Sequence, residues 1–519
     1  MRLLRHPALV TACFLAATSL PGHAAASSAS VGYDSVHDQE IWAAADAGML
    51  VTPLGFRFND VLPAASFVFD GTADLDGDGL GDVIERRGEQ GATAVTTIGV
   101  RRGYDGHNYW SMQTPADQFI GVAPMRFGTP ARRGLVVATM SRPTTTPTTT
   151  ITMHITAYDG PTGALVWQWS SKAIANQANW PYVRGLLAGP AGAASNVLVA
   201  AGGNLILIDG ANGRPHVLTS SAAVGSDITA VDDLDGDRYN DVVSLSPSGL
   251  AAWSSSTGRL LWRRSDLGVH SFDVVPDVSG DGRRDLLFHS GSVLALNAAT
   301  GATQWQANVS TEFDHLGDAN GDHREDFVFA QQYQTETSTN VRFTALSGRD
   351  ASVLWRRTIS TPGQPPENSG AIYWSLPTRC DVDADGALDI PTATYMPDAA
   401  GKYHLYMVNG RDGTLHDGTV DLGSGVTDCL GLSVDGNGDD YATDHPQGAE
   451  GALAVIDGRT RKTIWTTPTP VHGSAWPLAA QLTADNRADV LVSVYSSNPQ
   501  VDEIRVVDGA TGKVRWTYQ

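Results

Sequence analysis

Two short motifs alternate along most of this 519-residue chain, and their repetition restricts the fold more than any other feature. The first motif is an acidic, glycine-containing stretch that ends in aspartate and continues into a short apolar segment. Its clear copies are DLDGDGLGDVI from Asp74, DLDGDRYNDVV from Asp233, DVSGDGRRDLL from Asp277, DANGDHREDFV from Asp318 and DVDADGALDIP from Asp381. Two degenerate copies follow, SVDGNGDDYA from Ser433 and QLTADNRADVL from Gln481. The apolar segments are typical of strands that enter a packed sheet.

The second motif is a hairpin that usually ends in tryptophan. Clear copies end at Trp167, Trp262, Trp305, Trp355, Trp465 and Trp516, and weaker copies begin at Ile208 and Val408. Most contain a turn dipeptide, then Thr-Gly or a substitute, then an apolar residue before the tryptophan. This order predicts a strand, a tight turn and a second strand, with the glycine where the backbone needs a positive φ.

The spacing of these hairpins predicts an all-β fold. The tryptophans and their weaker equivalents recur about every 43 to 62 residues, a period that matches one four-stranded antiparallel blade of a β-propeller. Eight hairpins lie between Asp159 and Trp516, and a fainter ninth unit reads GYDGHNYW at 103–110. We therefore expect one propeller domain over 46–519 with eight blades, or seven if units merge. A β-sandwich or a pair of smaller β-domains is the alternative architecture.

The N-terminus has the order of a secretory signal peptide. A basic MRLLRH, the apolar run PALVTACFLAATSL and an alanine-rich site predict a signal peptide over 1–26, cleaved after Ala26. Residues 27–45 are small and polar, as in a flexible lead. Val10-Thr11-Ala12-Cys13 also resembles a lipoprotein cleavage box, so anchoring through Cys13 is the alternative to a free secreted protein.

Export bears on the cysteines. Once the leader is removed, Cys380 and Cys429 remain, and two cysteines in an oxidising compartment usually pair. Both lie just upstream of comparable acidic stretches in successive repeats, which places them on neighbouring elements. We expect a Cys380–Cys429 disulfide, with two buried free thiols as the alternative.

The charge balance limits the partners. The chain has 56 Asp and Glu against 35 Lys and Arg, a net charge of −21. Such a surface repels nucleic acid and anionic membranes, so neither is an expected partner. No later stretch reaches the length of a membrane span, and we expect a soluble, exported monomer without membrane insertion.

The acidic stretches have the spacing of a calcium-binding loop. Oxygen ligands at positions one, three, five, seven (through the backbone) and nine suit a hard cation that takes six to eight oxygens. In the first copy the ligands are Asp74, Asp76, Asp78, the Leu80 carbonyl and Asp82. Magnesium requires tighter octahedral geometry, and zinc is disfavoured because the loops lack His and Cys ligands.

An EF-hand does not account for all the copies. Glu85 occupies the twelfth position of the first copy, where an EF-hand has its bidentate acid. In the later copies that position is Ser244, Phe288, Phe329 and Thr392. The flanking segments are also strand-like. The pattern therefore indicates calcium loops between strands.

These motifs resemble two known groups over roughly residues 55–519. The acidic loops resemble the FG-GAP repeats of integrin α-subunit propellers and the bacterial VCBS repeats. The hairpins resemble the tryptophan-docking repeats of quinoprotein propellers, a pattern that Ala157, Asp159, Thr162, Gly163 and Trp167 match in full. The resemblance is specific for fold and weak for function, because propellers host unrelated activities.

The resemblance implies four further ion sites, so that about five calcium ions are expected in all. Their ligands would be Asp233, Asp235, Asp237, Asp241 and the Tyr239 carbonyl; Asp277, Ser279, Asp281, Asp285 and the Arg283 carbonyl; Asp318, Asn320, Asp322, Asp326 and the Arg324 carbonyl; and Asp381, Asp383, Asp385, Asp389 and the Ala387 carbonyl. Binding in the degenerate copies at 433–441 and 481–489 is doubtful, because Tyr441, Gln481 and Thr483 replace ligands.

The role expected for calcium is structural. The five good loops commit 18 of the 56 acidic residues, and five divalent ions would offset 10 of the 21 net negative charges. Without metal, each loop would crowd three or four carboxylates, at a cost of roughly a few kcal/mol from close-range repulsion. Calcium should therefore stabilise the blades by binding the folded state.

The expected function is that of an extracellular ligand-binding or adhesion module for a protein or glycan. Candidate contact aromatics are Tyr104, Trp110, Trp180, Tyr182 and Trp374, although core packing would also account for most of them. His289 and His315 are expected to surround the loops or lie at the surface.

The alternative is a lyase-like enzyme acting on polysaccharides. The sequence contains no HExxH, GxSxG or P-loop motif, and it lacks the adjacent Cys-Cys pair of quinoprotein dehydrogenases. No catalytic residue is assigned.

Overall fold

A computed structural model describes residues 67–518 apart from short gaps and the longer gaps 89–94, 142–149, 176–181, 189–194, 221–226, 363–380, 394–402, 430–440 and 471–477. The predicted signal peptide, the lead over 27–45 and Cys380 lie outside the described residues. Within these ranges the chain forms 37 strands, and it contains no helix long and apolar enough to cross a bilayer.

The strands form nine sheets in chain order, and most pair with their sequence neighbour in an antiparallel sense. Sheet 1 contains β1 (Phe67–Ala73), β2 (Asp82–Gly88), β3 (Val95–Arg102) and β4 (Asn108–Pro115). Sheet 2 contains β5 (Phe119–Phe127), β6 (Arg132–Ser141), β7 (Thr150–Asp159) and β8 (Leu165–Ser170), with β9 (Ile174–Ala175) also paired to β7. Sheet 3 contains β10 (Tyr182–Ala188), β11 (Ser195–Ala201), β12 (Asn204–Ile208) and β13 (Pro215–Ser220).

Sheets 4 to 6 have the most regular four-stranded pattern. Sheet 4 contains β14 (Asp227–Ala230), β15 (Val242–Ser246), β16 (Gly249–Trp253) and β17 (Leu260–Arg264). Sheet 5 contains β18 (Ser271–Val275), β19 (Asp285–His289), β20 (Val293–Leu296) and β21 (Thr303–Ala307). Sheet 6 contains β22 (Phe313–Gly317), β23 (Asp326–Gln334), β24 (Ser338–Leu346) and β25 (Val353–Pro362).

Sheets 7 to 9 complete the chain. Sheet 7 contains β26 (Ile390–Ala393), β27 (Tyr403–Val408) and β28 (Leu415–His416), with β29 (Asp421–Leu422) paired to β27. Sheet 8 contains β30 (Thr427–Cys429), β31 (Tyr441–His445), β32 (Glu450–Ile456) and β33 (Thr463–Pro470). Sheet 9 contains β34 (Leu478–Ala480), β35 (Asp489–Ser497), β36 (Gln500–Val507) and β37 (Val514–Tyr518).

The number of sheets differs from the expected eight blades. The faint unit at 103–110 is the turn between β3 and β4, and it belongs to a full four-stranded sheet. This turn lacks the Thr-Gly pair, and Gly106, with φ of 73°, takes the positive-φ position instead. Each described sheet is formed by one continuous segment, so none is shared between the two ends of the chain.

The last sheet packs against the first, and this contact closes the arrangement. Trp516 of β37 donates its indole N–H to the Gly103 carbonyl at 2.6 Å. Leu482 packs with Val83 in one buried cluster. The Arg101 guanidinium lies 3.3 Å above the centre of the Tyr518 ring. Four-stranded antiparallel sheets that follow one another and close in this way form a β-propeller, as the sequence predicted.

Docked tryptophans join successive sheets. In each case the indole Nε1 on the fourth strand donates to a backbone carbonyl in the hairpin turn of the following sheet. The pairs are Trp110 with Gly160, Trp167 with Gly210, Trp262 with Ala298, Trp305 with Gly348, Trp355 with Gly410 and Trp465 with Gly509, at 2.6–2.9 Å. Because the donor is satisfied and the ring is largely covered, each contact combines apolar burial with a directional bond.

The hairpin prediction is confirmed at the turn glycines. Gly163 and Gly301 have φ of 64° and 70°. A Cβ at Gly301 would lie 2.7 Å from the Trp262 ring, and one at Gly163 would lie 2.5 Å from the Trp110 ring. Glycine is therefore required for two reasons: its φ is positive, and the tryptophan of the preceding sheet leaves no room for a Cβ.

The interface between sheets 3 and 4 has no docking tryptophan. The fourth strand of sheet 3 carries Leu218, whose carbonyl lies against Gly258 of sheet 4. Trp253 on the third strand of sheet 4 fills the gap and donates to Ser244 Oγ at 2.9 Å. Both Trp253 and Leu218 belong to the cluster between the two sheets. The following sheet thus supplies the aromatic ring.

Candidate metal centres on one face of the propeller

The acidic loops occupy equivalent places in their sheets. Those starting at Asp74, Asp233, Asp277 and Asp318 each join the first strand of a sheet to the second, and the loop starting at Asp381 runs directly into β26. In an up-and-down sheet, this connection and the turn between the third and fourth strands lie at the same edge. The loops and the docked hairpins therefore share one face, which we call the loop face.

The carboxylate of the first aspartate in each loop accepts hydrogen bonds from backbone N–H groups later in the same loop, which curves the backbone around it. Asp233 Oδ1 accepts the Gly236 and Asp237 N–H groups at 2.6 and 3.0 Å, and Oδ2 accepts the Arg238 N–H at 2.8 Å. The sixth position has a positive φ, which Gly79 adopts at 88° and which Arg238 adopts at 76°. The glycines in the motif thus have the backbone role that the sequence predicted, although the sixth position also accepts other residues.

Three of the five predicted ligand sets bring three carboxylates together. Within each set, one oxygen from every residue lies within 4.8 Å of the others. The sets are Asp74 with Asp76 and Asp78, Asp233 with Asp235 and Asp241, and Asp381 with Asp383 and Asp385. Among the described residues, the loops at 277–285 and 318–326 form no such group. Their third position is Ser279 or Asn320, so each has one acid fewer.

The ninth-position aspartates have a role that the sequence analysis missed. Asp285 Oδ2 accepts the Val278 and Ser279 N–H groups of its own loop, and Oδ1 accepts the Ala298 N–H of the hairpin at 3.0 Å. Equivalent bridges to the hairpin run from Asp241 to Ser255, from Asp326 to Gly348 and from Asp389 to Gly410, at 2.9–3.0 Å. Of these ninth-position aspartates, only Asp241 also belongs to one of the three clusters of converging carboxylates. These acids therefore join the loop to the hairpin.

A degenerate loop supports this structural role. The stretch 481–489 lacks acids at its first and third positions but keeps Asp489. Asp489 is buried, and its Oδ1 accepts the Gly509 N–H of the hairpin at 3.1 Å. Thr483 donates to Asp485 at 3.1 Å. The ninth acid thus persists where the ligand pattern is lost; of the other degenerate copy, 430–440 lie outside the described residues.

Burial raises the pKa of the ninth-position carboxyls. In the absence of a cation, the pKa of Asp82 rises to about 8, because burial disfavours the charged form and the neighbouring Asp76 and Asp78 add to the effect. Burial likewise raises the pKa of Asp326 and Asp389 to about 7. For Asp241 and Asp285 the same cause raises the pKa to about 6. A cation beside these groups would favour their ionised forms.

Hairpin side chains extend into several loops. Asn409 donates its amide to Asp383 and Asp385 at 2.8 and 2.9 Å. Asn297 makes the equivalent contacts with Ser279 and Asp281, both at 2.8 Å. In sheet 1 the Tyr109 hydroxyl donates to Asp76 at 2.6 Å. Both asparagines open a hairpin turn, so aligning the hairpin copies could have revealed them.

The two histidines singled out by the sequence are both buried, and His315 contacts the acidic loop of sheet 6. His289 Nε2 lies 2.8 Å from Asp273 Oδ2, and His315 Nδ1 lies 3.2 Å from Glu325 Oε1. Burial lowers the pKa of His315, but the bond to Glu325 and the negative charges of nearby carboxylates together outweigh this effect, so that the pKa is raised overall. Phe313 contacts both rings. Neither histidine lies at the surface, and only His315 adjoins an acidic loop, through Glu325 of the loop 318–326.

The predicted aromatic surface is only partly described. Tyr104 is 39% exposed, whereas the Trp110 ring docks on the next sheet. Tyr182 begins β10, and Trp180 and Trp374 lie outside the described residues. Cys429 ends β30, but its predicted partner Cys380 is not described, so the disulfide stays a prediction.

The repeats match a known family over part of the chain. Residues 152–388, from sheet 2 to the loop before β26, match the family model described as outer membrane protein assembly factor BamB. The repeats of this segment are similar to that family, and the match covers less than half of the chain. The match supports the quinoprotein-like assignment of the hairpins, and the FG-GAP and VCBS resemblance of the loops stays a prediction. No curated protein matches the chain by sequence.

Several solved structures are similar to the chain at low identity. The exotype rhamnogalacturonan lyase YesX is 14% identical, with coverage of 87% of this chain and 72% of the lyase and a TM-score of 0.45. The dihydro-heme d1 dehydrogenase NirN is 15% identical over 72% of this chain and 71% of its own, with a TM-score of 0.38. BamB from Moraxella catarrhalis is 15% identical, with coverage of 56% of this chain and 78% of BamB and a TM-score of 0.27. At these identities the likeness concerns the fold alone.

Proposed function

We propose that this chain is a calcium-stabilised, exported β-propeller that acts as a non-catalytic binding module for an extracellular protein or glycan. The observation that carries the proposal is the convergence of three carboxylates within 4.8 Å in three separate loops. All three loops belong to the loop face. Carboxylates this close repel one another unless a cation lies between them.

The donor set fits calcium. The converging groups are carboxylate oxygens on short curled loops, and backbone carbonyls such as that of Leu80 could add neutral oxygens. Calcium accepts six to eight such ligands in flexible geometry, whereas magnesium requires a strict octahedron and keeps its waters. The two loops with Ser279 or Asn320 offer less charge, so we expect them to bind calcium more weakly.

Calcium would act through stability in this proposal. A cation bound only by the folded state stabilises that state by mass action. The loops adjoin the hairpins that carry the docking turns, so fixing a loop supports the contact between two sheets. The calcium-loaded ring would then present its faces as a rigid monomeric surface, with the Cys380–Cys429 disulfide as a further constraint.

The partner class follows from charge and from the repeat family. A net charge of −21 disfavours nucleic acid and anionic membranes as partners. The family that matches residues 152–388 is described as an assembly factor for outer membrane proteins, which favours a protein partner. Export through the predicted signal peptide would place the module where calcium is abundant.

Calorimetric titration of the metal-free chain with calcium tests the metal assignment. We expect binding that magnesium at the same concentration does not reproduce, and a higher melting temperature in calcium than in chelator. Asp381→Asn should weaken binding, whereas Asp350→Asn, which changes an exposed hairpin acid outside the loops, should leave it unchanged. A chain whose melting temperature is the same in calcium and in chelator, with removal of metal verified, would contradict the proposal.

The binding role needs a separate test. The calcium-loaded chain is applied to a glycan and polysaccharide array and to immobilised exported proteins, and the soluble products are analysed. Retention of a ligand without cleavage supports the proposal. Release of unsaturated oligosaccharides would show a lyase instead and would overturn the non-catalytic assignment.

A further inference from the structure

Arginines connect neighbouring acidic loops. Arg283 lies at the seventh position of the loop in sheet 5, and its Nε donates to the Asp233 carbonyl at 2.7 Å, in the loop of sheet 4. Arg324 has the same position in the loop of sheet 6, and its Nη1 donates to the Val278 carbonyl in the loop of sheet 5. Both arginines therefore contact the beginning of the preceding loop.

The loop before β26 is connected in a related way. Arg411, in the hairpin of sheet 7, donates to the Asp385 carbonyl of its own sheet at 2.9 Å and to the Ala319 carbonyl of the preceding loop at 3.4 Å. A backbone bond from Leu388 to the Leu316 carbonyl, 2.9 Å long, reinforces this contact. Four consecutive loops, in sheets 4 to 7, are thus joined by three arginines.

The Arg324 contact is closely fitted. A Cβ added to Gly280 would lie 2.2 Å from Arg324 Nη2, so the guanidinium rests on the bare backbone of the neighbouring loop. The fourth-position glycines Gly77, Gly236 and Gly321 have nothing within 4 Å of the corresponding point. The position of the guanidinium therefore depends on the backbone conformation of the loop that it contacts.

From these contacts, and resting on the calcium sites proposed above, we propose that cation binding at the loops 233–241, 277–285, 318–326 and 381–389 is positively coupled through Arg283, Arg324 and Arg411. The Arg283 and Arg324 carbonyls are proposed ligands of their own loops, so a bound cation fixes the backbone from which each side chain extends. The guanidinium then loses less conformational freedom when it orders the preceding loop. The ordered loop binds its own cation more tightly, and the effect is reciprocal.

The sign of the coupling distinguishes this device from simple electrostatics. Neighbouring divalent ions repel each other, so independent loops would show no coupling or negative coupling. Positive coupling requires a contact between two loops that forms or tightens when one of them becomes ordered. The arginines supply such a contact.

The first loop is an internal control. Arg133 of sheet 2 donates to the Asp74 carbonyl at 3.0 Å and also pairs with the Asp74 carboxylate. Among the described residues, sheet 2 carries no acidic loop of its own. Binding at 74–82 should therefore be independent of the other four loops.

Equilibrium calcium titrations of the full-length chain test the coupling, with Arg283→Met, Arg324→Met, Asp318→Asn and the exposed hairpin control Arg349→Met. The wild type should show a Hill coefficient above one, and R283M/R324M should reduce it to one or below. The average affinity should fall roughly five- to tenfold, within the range typical of coupled sites. Arg349→Met should leave both values unchanged, because it removes the same charge as either single arginine variant, but from a hairpin rather than from a loop.

A double-mutant cycle gives the decisive measurement. Asp318→Asn should weaken binding at 277–285, and this effect should vanish in the Arg324→Met background. A wild type that binds calcium with a Hill coefficient of one or less, with no effect of Asp318→Asn on other loops, would overturn the coupling and leave the calcium assignment intact. A wild type that binds no calcium would overturn both. Circular dichroism in saturating calcium confirms that each variant is folded.

Discussion

At the scale of single residues, the acids of one loop have different tasks. The first, third and fifth positions supply the carboxylates that converge in loops such as 74–82 and 381–389. The ninth position joins the loop to the hairpin through two backbone contacts, as Asp285 shows. A carboxylate that satisfies buried N–H groups is costly to remove, because those donors lose their partner.

Asp489→Ala separates the structural task from metal binding. Its loop lacks two ligand acids, so the loss of the bond to the Gly509 N–H should destabilise the protein by about 1–3 kcal/mol in calcium and in chelator alike. Chemical denaturation in both conditions measures the effect. Asp485→Ala, at an exposed position of the same loop, is the control. A loss seen only in calcium would assign Asp489 to a metal site instead.

The raised carboxyl pKa values predict a pH dependence for the metal-free protein. In the folded protein Asp82 has a pKa of about 8, whereas an aspartate in the unfolded chain has a pKa of about 4. Its contribution is therefore fully present below about pH 4 and is lost as the pH rises towards 8. Asp326 and Asp389, with pKa values of about 7, act in the same direction.

Melting temperatures between pH 5 and pH 8 check this expectation. In chelator the melting temperature should fall as the pH rises, and in calcium it should fall less, because the cation stabilises the ionised carboxylates. The stabilisation by calcium should thus grow with pH. A melting temperature in chelator that rises over this range would contradict the assigned protonation.

At the scale of elements, the hairpin turn and the preceding tryptophan form one unit. The turn places a glycine in the left-handed region, and the indole covers it while donating to the adjacent carbonyl. Sheet 3 shows that the unit is replaceable when another ring, Trp253, fills the interface. Stability therefore depends on filling each interface, by tryptophan or by an equivalent.

Two glycine substitutions isolate the docking contact. Gly301 and Gly291 have φ of 70° and 80°, but only Gly301 lies against a tryptophan, Trp262. Gly291→Ala should cost about 1–2 kcal/mol from left-handed backbone strain alone. Gly301→Ala should cost clearly more, because the ring must also move. If chemical denaturation shows the same loss of unfolding free energy for both variants, the docked ring does not contribute to the cost of Gly301→Ala.

At the scale of the whole molecule, closure joins parts of the chain that are far apart in sequence. Trp516 bonds to the Gly103 carbonyl, and Arg101 lies over Tyr518. Closing a loop of such long sequence separation is entropically costly, so these contacts must offset that cost for the ring to stay closed.

Trp516→Ala should weaken closure selectively. We expect faster amide hydrogen exchange in sheets 1 and 9 together, whereas exchange in sheets 4 to 6 stays close to that of the wild type. Trp305→Ala, which removes an equivalent ring from an internal interface, is the comparison and should affect sheets 5 and 6. Uniform acceleration across all sheets after Trp516→Ala would indicate global destabilisation rather than local opening.

Much of the fold could be predicted because its signals are local. A turn glycine such as Gly163, the apolar run after each acidic loop and the spacing of the tryptophans each depend on a few adjacent residues. The count of sheets was harder, because the turn around Gly106 lacks the Thr-Gly pair that marks its relatives. The burial of His289 and His315 had no sequence signal, since their partner Phe313 belongs to the first strand of sheet 6.

The sequence by itself determined the all-β repeat, the positions of the acidic loops and the residue types that suit calcium. These follow from short-range patterns that fix turns, strands and ligand spacing. Only the tertiary structure decided that the ninth aspartate joins loop to hairpin, that Arg283 and Arg324 contact the preceding loop, and that sheet 9 closes on sheet 1. Those contacts link residues that only the pairing of strands within a sheet or the packing of successive sheets brings within hydrogen-bond distance, so no local pattern could specify them.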